Sequence, residues 1–313
     1  MDDSRRSTLD KLQGRLLSGE VRALARSISL IEAGEPAGQE LLARLRPRVG
    51  NARVLGITGA PGSGKSTLTD HLVAAARGRD ERVAVVAVDP SSPFSGGAIL
   101  GDRIRMTRWH SDPGVFIRSM ATRGHLGGLA AATLQVVALL DALDFDVILL
   151  ETVGVGQSEV EIAEAADTTV LVLTPGQGDA VQAFKAGIME IADLFVINKA
   201  DQPGAARLRR EIRAMQEIAL PADAPWRPPI LETTASEGEG VESVVSELDR
   251  HSEHLEASGR GEELRRRRAR FEIAAILHEE LRRALAARED DFVDEVLSGG
   301  ITPAQAVARL LER

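Results

Sequence analysis

The chain has 313 residues, 43% of them hydrophobic and 27% charged, enough apolar material for a sizeable core and too much for wholesale disorder. Aromatic residues amount to only 3%, with no Tyr, so the core must be aliphatic and stacking platforms for single-stranded nucleic acid are not expected. A net charge of −9 argues against a general polyanion binder, and the absence of Cys excludes disulfides, thiolate catalysis and Cys-ligated metal sites.

Taken in chain order, residues 1–50 read as an N-terminal helical arm. Met1 to Arg6 is polar and leads into no apolar stretch, so no secretory signal is expected. No segment approaches the roughly 20 apolar residues that span a bilayer, so a cytoplasmic protein without membrane contact is expected. Val21, Leu24, Ile28 and Ile31 recur at helical spacing, and Leu41, Leu42 and Leu45 follow a break at Gly34-Glu35-Pro36.

Residues 51–256 alternate short β-branched runs with longer helical patterns. The expected strands are Val54–Thr58, Val83–Asp89, Val115–Arg118, Val147–Thr152, Val170–Thr174, Leu194–Asn198 and Ile230–Thr233. Runs such as Val83–Val88 are apolar without alternation, as in strands buried on both faces of a parallel sheet. Residues 257–313 return to helix, with Phe271, Ala274, Leu277, Leu281 and Leu285 on one stripe and Thr302-Pro303 as an N-cap followed by Pro. The fold class is therefore α/β, a mostly parallel central sheet flanked by N-terminal and C-terminal helical extensions. The run Arg265–Arg268 reads as a solvated helix face paired with Glu262 and Glu263, or else as a docking patch for an acidic partner.

The chemistry concentrates at strand ends. Gly59, Ala60, Pro61, Gly62, Ser63, Gly64, Lys65 and Ser66 fit the phosphate-loop pattern G-x-x-x-x-G-K-S/T, between an apolar strand and a helix that opens with Ser66, Thr67 and Leu68. Glycines let the backbone wrap close to phosphate oxygens, and successive N–H groups with the helix N-terminus supply positive potential. Lys65 is expected to reach the β- and γ-phosphates and the Ser66 hydroxyl to join a Mg²⁺ ion.

Such a loop needs acidic groups nearby. Glu151 closes an apolar strand and is followed by Gly154; it reads as a magnesium-site acid, in contact directly or through a metal-bound water, against the alternative of a surface Glu ending a strand. Asp89 and Asp102 lie where a switch segment would carry carboxylates to the metal, or else are turn and cap residues. Asn198-Lys199-Ala200-Asp201 ends a late strand. The Asp201 carboxylate can accept from guanine N1–H and its exocyclic amine, a donor pair adenine lacks, which favours GTP over ATP. Thr234, Ala235 and Ser236 follow the next strand and are placed to close over the base. Gln157 either orients the attacking water or caps the next helix, and Arg103 or Lys185 could supply charge once a partner binds.

Together, the phosphate loop, Asp89 to Pro93, Arg118 to Gly124, Glu151 to Glu159 and Asn198 to Asp201 resemble the MeaB-type GTPases, the methylmalonyl-CoA mutase-associated G proteins once labelled transport-system kinases. The resemblance implies a GTP- and Mg²⁺-dependent GTPase that chaperones an adenosylcobalamin-dependent acyl-CoA mutase, gating cofactor loading and protecting or reactivating the mutase. It further implies a homodimer held by the C-terminal extension, Asp89, Asp102 and Glu151 as magnesium-site acids, and a partner-sensing switch from Pro175 to Asp179 through Gln182 and Lys185. Competing readings are a P-loop kinase of a transport system, which ATP competition would favour, and a nickel-type metallochaperone. For the latter, His71, His110, His125, His251, His254 and His278 form no ligand motif, although His251 and His254 share a helical face.

Overall fold

The computed structural model describes residues 3–89, 106–121, 129, 131–152, 158–176, 190–286 and 289–311. They fall into two compact units, Met1–Arg268 and Ala269–Arg313. Among the described residues no helix is long and apolar enough to cross a membrane.

The first unit opens with helices α1 (Asp3–Leu17), α2 (Val21–Glu32) and α3 (Pro36–Leu45). The Pro at the start of α3 supplies a preset φ where no helical N–H bond is needed. Gly38 lets α3 cross α2 at backbone distance, since a Cβ there would come 2.9 Å from Ile31 N. Buried Leu24, Ile28, Ile31, Leu41 and Leu45 form the inner stripe of the arm, which packs on α5 (Ala131–Asp141).

Seven parallel strands follow: β1 (Arg53–Thr58), β2 (Val83–Asp89), β3 (Val115–Ala121), β4 (Val147–Thr152), β5 (Thr168–Leu173), β6 (Leu194–Asn198) and β7 (Ile230–Thr233). They lie in the order β3-β2-β4-β1-β5-β6-β7, with β1 paired to both β4 and β5. The expected strands are all present. β3 runs past its expected end at Arg118 because parallel pairing with β2 continues from Val83↔Val115 to Asp89↔Ala121. The polar Arg118, which breaks the apolar pattern, is used instead to pair with Glu32 of the arm. β5 begins two residues earlier than expected, at Thr168, whose buried hydroxyl bonds His251 Nδ1 at 2.8 Å.

Alternation within each buried strand divides the core between two faces. Val170, Val172, Leu194 and Val196 pack with Leu68, Leu72 and Val73 of α4 (Lys65–Arg77) and Val244 and Leu248 of α8 (Val241–Ala257). Leu171, Leu173, Phe195 and Ile197 meet Leu208 and Ile212 of α7 (Ala205–Ala219) on the other face. There α6 (Ser158–Ala165) presses against Gly56, where a Cβ would lie 2.8 Å from Ile162 Cγ1. The Asp141 carboxylate, 1% exposed, fixes the entry to β1 by accepting from the amides of Gly50, Asn51 and Ala52 at 2.7, 3.0 and 2.9 Å.

The arginine run begins α9 (Arg260–Ala286), and only part of it is the solvated face expected. Arg266 pairs with Glu262 on its own helix at 2.9 Å, whereas Arg267 donates to Ala163 O and Arg268 pairs with Asp167. The last two therefore moor the start of α9 to the α6–β5 corner. In the second unit α10 (Glu289–Leu297) precedes α11 (Pro303–Leu311), and Arg309 pairs with Glu295. Thr302 caps α11 as expected: its hydroxyl accepts from Gln305 N at 3.3 Å while Gln305 Oε1 accepts from Thr302 N at 2.9 Å, a reciprocal capping box.

Candidate functional site

All the candidate residues that the structure describes sit at the carboxyl edge of the sheet, the edge where open parallel sheets receive ligands. The loop between β1 and α4 turns on Gly59, Gly62 and Gly64, with φ of 139°, 78° and 92°. Two of these positions are also closed to any side chain. A Cβ at Gly59 would come 2.1 Å from Val172 O, and one at Gly64 would come 2.2 Å from Asn198 Nδ2. The loop is thus held against β5 and β6 and leads directly into the N-terminus of α4.

Lys65, only 6% exposed, donates to Gly59 O at 2.8 Å and Ala60 O at 3.0 Å, which keeps its ammonium on the inside of the loop. Ser66 and Thr67 form the first turn of α4, with Thr67 exposed. Ser66 Oγ donates to Glu151 Oε1 at 2.6 Å, and Thr69 Oγ1, one turn further on, lies 3.0 Å from Oε2. The Glu151 carboxylate at the end of β4 is therefore not a surface group. It is buried and oriented by two hydroxyls of α4. Asp89 ends β2 beside β4, its backbone paired with Ala121; its side chain and the whole of Asp102, Arg103, Gln157, Gln182 and Lys185 lie outside the described residues.

The second half of the site is joined to the first by one amide. Asn198, 2% exposed, donates from Nδ2 to Ser63 O at 2.8 Å; its Oδ1 accepts from Thr233 Oγ1 at 3.1 Å and Ala235 N at 3.0 Å. Lys199 takes φ of 56°, a strained value for a non-glycine residue, and its Nζ donates to Gly62 O at 2.8 Å. Asp201 follows on the surface, exposed, while Thr234 and Ala235 are buried and Ser236 is exposed. Asn198 to Asp201 and Thr234 to Ser236, distant in sequence, are thus joined to each other and to the phosphate loop through the side chains of Asn198 and Lys199.

Three contributors were not singled out from sequence. Thr69 shares a helix face with Ser66, a spacing that could have flagged it. Thr152 donates to Thr58 Oγ1 at 3.1 Å, joining the ends of β4 and β1. His71 Nε2 lies 2.7 Å from Ala235 O, a pairing across 164 positions that no local pattern announces. Among the described residues no cluster of three or more His, Asp or Glu forms a ready-made metal cage.

The comparisons with known proteins agree with this geometry. Residues 24–290 match the family described as methylmalonyl-CoA mutase-associated GTPase MeaB. A Pyrococcus horikoshii protein named as a GTPase is 47% identical over 97% of this chain and 98% of its own length. GTPase ArgK of Escherichia coli is 36% identical over 91% of this chain and 88% of its own length. The mitochondrial methylmalonic aciduria type A homolog of Mus musculus is 32% identical over 100% of this chain and 81% of its own length. A crystal structure of an LAO/AO transport system kinase superposes with a TM-score of 0.73 at 30% identity, covering 98% of this chain and 97% of that one. On this sequence match, and with a phosphate loop and an Asn198–Asp201 segment joined in one site, the chain belongs to the MeaB family of GTPases.

Proposed function

We propose that the chain binds GTP with Mg²⁺ and uses its hydrolysis to chaperone an adenosylcobalamin-dependent acyl-CoA mutase, gating cofactor loading and protecting or reactivating the mutase. The observation that supports the nucleotide half is the Asn198 side chain, which bonds both Ser63 O of the phosphate loop and Ala235 N of the proposed base loop. The family description supports the mutase as partner.

In this reading the amides of Gly59 to Thr67 receive the phosphates, and Lys65 swings from its two loop carbonyls to the β- and γ-oxygens. Ser63 Oγ, buried within the loop and without a partner among the described residues, fits a site built for a further acceptor. Ser66 and Glu151 would hold the metal, with Asp89 and Asp102 as further acids. A hydroxyl beside a carboxylate is an all-oxygen set that suits Mg²⁺, which keeps several waters and binds partly through substrate phosphates. An ion held there would offset negative charge on the nucleotide's phosphates. Asn198, Lys199 and Asp201 with Thr234, Ala235 and Ser236 enclose the guanine, and Asp201 accepts from its N1–H and exocyclic amine. Gln157 would orient the attacking water.

Residues 257–313 are proposed to form the homodimer contact. Exposed Ile273 and Leu277 on α9, Leu297 on α10 and Val307 on α11 support this, since large apolar side chains left open on consecutive helices favour burial against a second copy. The deciding experiment is GTP turnover and pull-down of the full chain with methylmalonyl-CoA mutase, with and without a non-hydrolysable GTP analogue. Nucleotide-dependent capture and faster turnover are expected. Absence of both would remove the chaperone role and leave the GTPase, and ATP displacing GTP equally would favour a kinase.

A further inference from the structure

We infer that His71 is a positioning residue for base recognition: from α4 it fixes the Thr234–Ser236 loop and so sets the preference for a 6-oxo over a 6-amino purine. The inference rests on the guanine-site reading above and adds a residue and a discrimination to it.

The Ala235 peptide groups are held from two sides. Its N–H donates to Asn198 Oδ1 at 3.0 Å, and its carbonyl receives His71 Nε2 at 2.7 Å. A carbonyl can only accept, so the imidazole carries its proton on Nε2. The loop beyond is a tight knot: Thr234 N donates to Glu239 O at 3.1 Å and Glu237 N to Thr234 O at 2.9 Å. The His71 ring lies beneath it, since a Cβ on Gly238 (φ 77°) would meet His71 Cε1 at 3.4 Å. His71 stands in the second turn of the helix whose first turn carries Lys65 and Ser66, so its hydrogen bond fixes the base loop relative to the phosphate end of the site.

The chemistry separates two readers. Asp201 accepts from N1–H and the 2-amine, whereas a backbone N–H at the exposed Ser236 end of the loop can only donate, and therefore suits an oxygen at C6 and opposes an amine there. Donors of this kind discriminate only while they are held in place, because a displacement of about 1 Å is enough to lose the contact. Without His71 the Ala235 carbonyl loses its tie to α4 and the loop is free to shift.

The test is binding of GDP, IDP and ADP to the full chain carrying His71→Ala, His71→Gln or His71→Asn, with thermal midpoints measured alongside. GDP and IDP share the 6-oxygen and differ only in the 2-amine. His71→Ala should therefore weaken both by about tenfold, the worth of one hydrogen bond, leave ADP unchanged and preserve the GDP/IDP ratio. His71→Gln, whose amide nitrogen can occupy the Nε2 position, should restore both affinities. His71→Asn places its donor too short and should behave like alanine, which keeps the test valid if the alanine variant folds poorly. Equal losses on all three nucleotides, no loss on GDP, or failure of His71→Gln to restore binding would overturn the inference while the guanine reading stands. Wild-type protein that binds GDP and ADP equally would overturn both.

Discussion

Asn198 donates to the carbonyl of Ser63 at 2.8 Å, so the last residue of β6 holds the phosphate loop in place from the far side of β5. The same side chain takes the Thr233 hydroxyl and the Ala235 amide, so both lone pairs of its Oδ1 are engaged along with its Nδ2. Replacing it with Ala strands three buried groups. We expect Asn198→Ala to lower stability by about 2–3 kcal/mol, read by urea unfolding, and to weaken GDP at the same time. A stability change below about 0.5 kcal/mol, the level of an ordinary surface substitution, would contradict this.

Gly59→Ala should be more damaging than its single methyl suggests. The position combines a φ of 139° with a backbone oxygen, Val172 O, 2.1 Å from the new Cβ. Neither can relax without pulling β1 from β5. A loss of about 3 kcal/mol or more is expected in denaturant unfolding, together with lost nucleotide binding. Gly62→Ala, where a Cβ meets nothing within 4 Å, carries only the strain of its φ of 78° and should be milder. Equal effects at the two positions would refute the argument from crowding.

Asp141 offers a check on the scaffold that leaves the site untouched. Its carboxylate accepts three backbone amides ahead of β1. Asp141→Asn turns one oxygen into a donor facing those amides and should cost about 2 kcal/mol of stability, since hydrogen bonds to a buried charged acceptor are among the stronger ones. GDP affinity at a temperature well below the midpoint should stay within about twofold, a shift of under 0.5 kcal/mol.

At the opposite edge of the sheet, His251 and Asp193 should shift stability with pH in opposite directions. Burial, helped by His254 and Arg260, pushes the His251 imidazole down to about 4, while burial raises the Asp193 carboxyl to about 6. Between pH 6.5 and 4 the unfolded chain binds more protons at His251 than the folded one, so that residue removes stability as pH falls. Between pH 6 and 3.8 the folded chain binds more protons at Asp193, so that residue adds stability as pH falls. Unfolding measured from pH 7 to 4 should show His251→Asn gaining on wild type as acid is added, and Asp193→Asn losing. Parallel curves for all three proteins would contradict both assignments.

The strands, and the placement of the motif residues at their ends, were legible because both are local signals. A fully buried parallel strand is a short apolar run, and a phosphate loop needs its glycines, Lys65 and Ser66 in fixed spacing. Long-range pairing was not legible. Arg118 reads as the end of β3 until Glu32, 86 residues earlier, is placed beside it. Arg267 and Arg268 look like solvent-facing charge until Ala163 and Asp167 come within reach, about 100 residues away. The same holds for His71 and Ala235. Each depends on which elements the sheet order makes neighbours, and periodicity carries no record of that.

In the proposed function, Asp201 reads guanine at the far end of the site from the phosphate loop. Xanthine replaces guanine's exocyclic amine with a carbonyl, so it calls for a donor where guanine calls for an acceptor. The direct measurement is steady-state hydrolysis of GTP and XTP by wild type and Asp201→Asn. The substitution is expected to lower kcat/KM for GTP by at least about 100-fold, near 3 kcal/mol, and to raise it for XTP. Unchanged GTP hydrolysis by Asp201→Asn, with no gain on XTP, would contradict it.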